Sequence, residues 1–241
     1  MHTLNLKLGF WAALLSALTY VIYAVCFVAI LFLNPLFVWS DLPTYLNAAQ
    51  ETNQFFKHLA QFAMLIYAPL FLLLLNAIHE LAPPRQKVLT RAAIAFGLGF
   101  VVLNNTAYFI QLSTVRLAVN RGMAPGLEQF IIANPAAPIV AVSTLGWTLF
   151  QGPASLLVAP VFTGGRLERI IRLAFLANGV ICLLGGLAFI FDITWLVFLT
   201  LNLGVGGAGL AIALSLTRYF RGLVAMSSAG VANGQSPIPE P

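Results

Sequence analysis

Two apolar segments of this chain carry regularly spaced hydrogen-bonding side chains. In the first, "VVLNNTAYFIQ", Asn104, Tyr108 and Gln111 fall on one helical face, with Asn105 flanking it. In the second, Ser143, Trp147, Gln151 and Ser155 recur every four residues, which also defines one face. The chemistry open to such groups is neutral hydrogen bonding. Asn104, Asn105, Tyr108, Gln111, Trp147 and Gln151 suit an uncharged or amphipathic ligand, a small molecule or a lipid. They offer no nucleophile paired with a base, so the pattern leans away from an enzyme and assigns no catalytic residue. No Asp, Glu or Lys lies near the middle of an apolar run, which argues against carboxylate proton relays and a retinal Schiff base.

Other candidate motifs lack their context. "GVGGAG", Gly204 to Gly209, matches the spacing of a dinucleotide fingerprint, but that mechanism needs a preceding strand and a helix start. Inside an apolar run the small residues fit close helix packing. "HELAP", from His79, ends in proline where a zinc protease needs its second histidine. His58 and His79 stand about 30 Å apart on one helix at 1.5 Å per residue, so they cannot share a metal. Both are expected to reach toward the membrane interface. Cys26 and Cys182 fall inside apolar runs and read as buried thiols. No metal or cofactor is expected.

The elements that position these side chains follow from composition. Of 241 residues, 60% are hydrophobic and 8% charged, against about 25% charged in a soluble domain. Most of the surface therefore faces lipid, and the partner is the bilayer. Six segments are long and apolar enough to span it: 8–33, 58–79, 92–115, 138–162, 170–190 and 194–217. The first exceeds a cleavable signal's apolar core of about 7–15 residues and reads as a retained span. The expected fold is all-α, a six-helix transmembrane bundle over 1–221, with 222–241 a disordered cytoplasmic tail.

Charge orients the bundle. Lys7, Arg85, Lys87, Arg91, Arg166, Arg169, Arg172, Arg218 and Arg221 fall on one side; Lys57, Arg116 and Arg121 fall on the other. Nine against three places both termini in the cytoplasm of a multi-pass protein of the inner (plasma) membrane. The net charge of +5 is thus an orientation signal, and no nucleic-acid partner is implied. Trp11, Trp39 and Trp195 lie near span ends, as in an aromatic belt, whereas Trp147 does not. In the first outer link Leu42, Tyr45, Leu46, Ala49 and Phe56 keep helical spacing. Asp41 is the expected cap and Pro43 the first-turn proline of an interfacial helix. Asp192 is expected to cap the sixth span.

Amides facing lipid would stay unsatisfied, so both polar stripes must turn inward. Pro69, Pro153 and Pro160 free the carbonyls of Leu65, Leu149 and Leu156, for which Asn104, Asn105, Gln111 and Gln151 are candidate donors. Two readings remain open. The amides glue helices together, at about 0.6 kcal/mol per bond on average, or they line a polar intramembrane pocket.

The run "GGRLERIIRLAFLANGVICLLGGLAFIF" with the preceding "GWTLFQGP" resembles the second half of an uncharacterised six-helix bacterial membrane family, a domain of unknown function. The resemblance implies six helices and carries no site residues. The leading expectation is a membrane protein that binds, and in an extended reading transports, a small neutral or amphipathic ligand or lipid. A structural or partner subunit without a ligand site, compatible with homo-oligomer formation, is the alternative. A membrane-embedded enzyme comes third.

Overall fold

The computed structural model describes residues 2–33, 37–123 and 125–232 and is all-α, with no strand among the described residues. Ten α-helices follow one another: α1 His2–Leu33, α2 Leu42–Glu51, α3 Phe55–Leu81, α4 Lys87–Ile110, α5 Arg116–Arg121, α6 Pro138–Leu145, α7 Gln151–Val158, α8 Arg166–Ile190, α9 Thr194–Phe198 and α10 Gly206–Ala232. Three π-helical turns join α4 to α5 (Gln111–Val115), α6 to α7 (Gly146–Phe150) and α9 to α10 (Leu199–Val205), making three long, locally widened rods.

Among the described residues five helices are long and apolar enough to cross a membrane: Leu4–Leu33, Phe55–Leu81, Pro84–Arg121, Arg166–Ile190 and Thr194–Ser228. The remaining rod, α6–α7 with the 3₁₀ turn Ala159–Val161, coincides with the expected fourth span but is not among the five. Thr144, Trp147, Thr148, Gln151 and Ser155 dilute its apolar character. α10 continues past the expected boundary at 217 to Ala232, and the rest of the expected tail, 233–241, lies outside the described residues.

Among the described residues the rods pack as a ring in chain order. α1 packs on α3, α3 on α4, α4 on α7, α7 on α8, α8 on α10, and α10 returns to α1. Small residues allow the close approaches. α1 turns Ala12, Ala13, Ser16 and Ala17 inward while Leu14, Leu18, Val21 and Val25 face out, an apolar exterior that suits lipid. A Cβ on Gly179 of α8 would stand 3.0 Å from the Gly152 carbonyl of α7. Gly209 of α10 lies against Tyr20 of α1, whose hydroxyl would be 2.2 Å from an added Cβ.

One end of the ring is tied by the turns between rods. The Gln86 side chain donates to the Pro160 carbonyl at 2.8 Å, His79 Nδ1 bonds Thr90 Oγ1 at 2.6 Å, and the Lys87 ammonium donates to the His79 carbonyl. Phe162 meets Tyr219 edge-on at 5.7 Å nearby. The opposite end carries α2 as a short strap. Asp41 caps it, Oδ1 accepting from the Thr44 N–H at 2.8 Å, and Pro43 sits in its first turn, as expected. These bonds hold the Asp41 carboxyl below its ordinary value. Tyr45 and Ala49 bury the inner face of α2 against Val115, Ala118 and Leu127.

Asp192 departs from its expected role. α8 ends at Ile190, and Asp192 adopts φ 56°, the left-handed conformation. The Asp192 N–H donates to Phe189 O at 3.2 Å and the Ile193 N–H to Ala188 O at 2.8 Å, a Schellman closure of α8. Ile193 holds the cap position of α9 without a side-chain bond, so the aspartate ends one helix rather than starting the next.

Candidate functional site

The two polar stripes do turn inward, and they divide between an interior node and a cleft at the α2 end. In the node, Trp147 lies in the π-helical turn Gly146–Phe150 and Gln151 opens α7. The Gln151 N–H donates back five residues, to Gly146 O. Trp147 stacks on Tyr67 of α3 with centroids 5.9 Å apart and planes 3° apart, and meets Phe100 of α4 edge-on at 5.0 Å. Tyr20 of α1 tilts against Tyr67 at 4.6 Å, so four rods contribute rings to one packed centre.

The amides around this centre bridge helices. Gln151, fully buried, donates from Nε2 to the Tyr67 hydroxyl at 2.9 Å. Asn104, also fully buried, donates from Nδ2 to the Met64 carbonyl at 3.3 Å. That carbonyl is the chain neighbour of Leu65, the one that Pro69 frees, so the donor serves the weakened stretch of α3 one residue from the expected place. Asn178 of α8 donates to Ser155 Oγ of α7 at 2.9 Å, and the Tyr23 hydroxyl of α1 to Asn202 Oδ1 at 2.8 Å. Asn105 is half-buried beside the node, and Tyr108 is half-buried against the same core. Among the described residues, four enclosed carbonyl oxygens, those of Asn104, Asn105, Gln151 and Asn178, accept no hydrogen bond, nor does the Tyr20 hydroxyl. Aromatic side chains fill the space between the stripes.

Gln111 sits elsewhere. Its Nε2 donates to the Phe130 carbonyl, and its Oε1 accepts from the Ile132 N–H at 3.4 Å, so one side chain clamps the link between α5 and α6 onto α4. Beside this clamp opens a cleft of about 180 Å³, lined by Tyr45, Lys57, His58, Gln61, Gln111 and Arg116 among others. A larger apolar groove of about 430 Å³ adjoins it along Ile30, Phe37, Val38, Ala48 and Ala133. Tyr45, Ala49, Gln54 and Lys57 border both. The Lys57 ammonium donates to the Tyr45 hydroxyl at 2.9 Å and stands 5.1 Å from that ring's centre, which keeps a cation at the mouth. Among the described lining residues there is no carboxylate.

Of the six side chains expected at one site, Asn104, Trp147 and Gln151 meet at the node, Tyr108 packs on the same core, Asn105 is half-buried next to Asn104 in the chain, and Gln111 alone reaches the cleft. Sequence reasoning missed Tyr67, which receives the Gln151 bond, and the grouping of Lys57 with Arg116. A signal for the second existed: spans two and three form an antiparallel hairpin, which sets Lys57 at the start of one beside Arg116 at the end of the other. No protein-family model matches this chain, and neither a curated protein nor a solved structure does, so the cleft and the node are what its function must be read from.

Proposed function

We propose that the chain is a six-span protein of the inner (plasma) membrane that holds one small amphipathic molecule in the cleft at the α2 end, facing the outside. The observation that carries this reading is the pairing of cavities: a polar cleft of about 180 Å³ opening into an apolar groove of about 430 Å³. Such a division matches a ligand with one polar and one apolar part. In this reading the α6–α7 rod is the fourth span, its polar residues sheltered by α4 and α8. The nine-to-three distribution of Lys and Arg supports cytoplasmic termini.

A second reading, a structural subunit without a ligand, is favoured by the interior amides. Each bridge from Asn104, Gln151, Asn178 and Tyr23 joins two helices, as expected of glue. The readings separate by native mass spectrometry of protein extracted with its lipid. One bound molecule is expected on the wild type and on the folded Asn105→Leu, Gln151→Leu double variant, and none on Ala48→Trp, which fills the groove. A wild type without a bound molecule favours the structural subunit. Loss from the double variant alone returns the site to the interior.

A further inference from the structure

We propose that the molecule held in the cleft is a single anionic phospholipid, its phosphate seated among Lys57, His58 and Arg116 and one acyl chain lying along Ile30, Val38 and Ala48. This rests on the cleft being the ligand site.

Charge is the first argument. The side assigned to the outside carries only Lys57, Arg116 and Arg121 as Lys or Arg, and two of these three line this one cleft with His58 beside them. Lys57 lies in the first turn of α3 and Arg116 opens α5, so the fold gathers cations from separate elements. The carboxylates of that side, Asp41, Glu51, Glu128 and Asp192, are not among the described lining residues. Clustered like charges without a counter-charge favour an anion, and the partial burial of a cleft screens them less than open water does. Lys and Arg are the side chains that take phosphate through charged hydrogen bonds.

The second argument is independent of charge. Gln61, one turn along α3 from His58, lines the same cleft at 8% exposure, and its enclosed Oε1 has no hydrogen-bond partner among the described residues. A bare phosphate diester brings no donor to it. A headgroup that also carries hydroxyls does once the Gln61 amide turns its oxygen toward the cleft, so phosphate and hydroxyl together meet both kinds of group present.

Size supplies the third. At about 180 Å³ the polar cleft is smaller than the roughly 300–1,000 Å³ of drug-sized sites, so it suits a headgroup and not a whole amphiphile. The chain needs a second, apolar space, and the groove that shares Tyr45, Ala49, Gln54 and Lys57 with the cleft provides it. Val38 on its wall is 82% exposed, an apolar side chain that an acyl chain would cover.

The test uses delipidated full-length protein in detergent with three probes added separately: dioleoylphosphatidylglycerol, dioleoylglycerol and inorganic phosphate. Native mass spectrometry reads occupancy, and thermal unfolding in the same detergent reads the fold. Phosphatidylglycerol is expected to bind one to one. Lys57→Gln with Arg116→Gln should weaken it about tenfold or more, the loss expected for charged hydrogen bonds. Arg121→Gln removes the same charge outside the cleft and should leave binding unchanged. Arg116 is exposed, so Arg116→Gln alone keeps the fold if the Lys57 change disturbs α2, and should itself weaken binding. Equal retention of dioleoylglycerol overturns the phosphate assignment and leaves an amphiphile site standing. Occupancy by inorganic phosphate equal to that by phosphatidylglycerol overturns the lipid. An equal effect of Arg121→Gln overturns the built site in favour of general surface charge. No one-to-one binding in any arm overturns both this inference and the reading it rests on.

Discussion

Gln151 donates to the Tyr67 hydroxyl across 2.9 Å while its own carbonyl oxygen, enclosed in the same interior, accepts nothing. Removing one partner of a buried hydrogen bond costs more than removing both. Tyr67→Phe should destabilise the protein by about 1–3 kcal/mol, because it leaves the whole Gln151 amide unpaired. Adding Gln151→Leu should recover part of that loss, with a coupling of about 0.6 and at most roughly 1.7 kcal/mol. Unfolding of both single variants and the double in one detergent measures it. Strict additivity would show that the bond contributes nothing.

The seam between α1 and α10 depends on the absent side chain of Gly209. Gly209→Ala drives a methyl into the buried Tyr20 ring, itself held against Tyr67, and should cost about 1–3 kcal/mol. Gly207, two residues earlier on the same helix, has no atom within 4 Å of an added Cβ. Gly207→Ala should therefore stabilise by up to about 1 kcal/mol through helix propensity. Paired melting curves check the contrast, and equal effects at the two positions would remove Tyr20 from the explanation.

At the end of α8 an aspartate occupies the left-handed position that glycine or asparagine ordinarily takes. Asp192→Gly relieves the Cβ–carbonyl conflict of that conformation and should raise stability by up to about 1 kcal/mol. If Asp192 served as the N-cap of α9, the same change would lower stability, so the sign of the shift in melting temperature decides.

The strap α2 should respond to acid. The Thr44 backbone N–H and hydroxyl hold the Asp41 carboxyl below its ordinary 3.8. The cap's contribution is therefore complete above the ordinary value and fades as pH falls through the lowered one. Docking of α2 should stay constant at neutral pH and loosen only in strong acid. Trp39, 5.9 Å from Tyr45 ring to ring, is the fluorescent reporter. Asp41→Asn keeps a capping oxygen without a titrating proton and should abolish the transition.

Reporter fusions test the orientation. Fusions after Gln86 and Gly165 should report the cytoplasm, and those after Ala48 and Gly126 the outside, from the charge distribution alone. An outside signal after Gly165 would remove the α6–α7 rod from the set of spans.

Much of this architecture is legible from composition and period, because lipid forces long apolar helices and inward amides. The cap at Asp41 and the helix after it follow from local chemistry and sit where expected. Gln111 does not. It shares a face with Asn104 by spacing, but its partners are carbonyl and amide groups in the irregular link at Phe130 and Ile132, where no period exists to read. Trp147 and Gln151 keep their shared burial across a π-helical turn whose wider step no residue pattern announced. Tyr67 was passed over because a tyrosine beside Pro69 looks like ordinary core until Gln151, 84 positions away, is placed opposite it.

The ring's order also bears on how the protein is made. Each rod packs against the one synthesised just before it, so five of the six seams can close as soon as the next rod leaves the ribosome. The sixth joins α1 to α10 and cannot form until nearly the whole chain is inserted. Until then the Ala12–Ala13–Ser16–Ala17 face of α1 and the Tyr20 hydroxyl have only α3 beside them. A chain truncated before α10 would leave that face open to the quality-control proteases that survey unfinished membrane proteins, and Phe220, which packs on Gly9 of α1, arrives later still than Gly209.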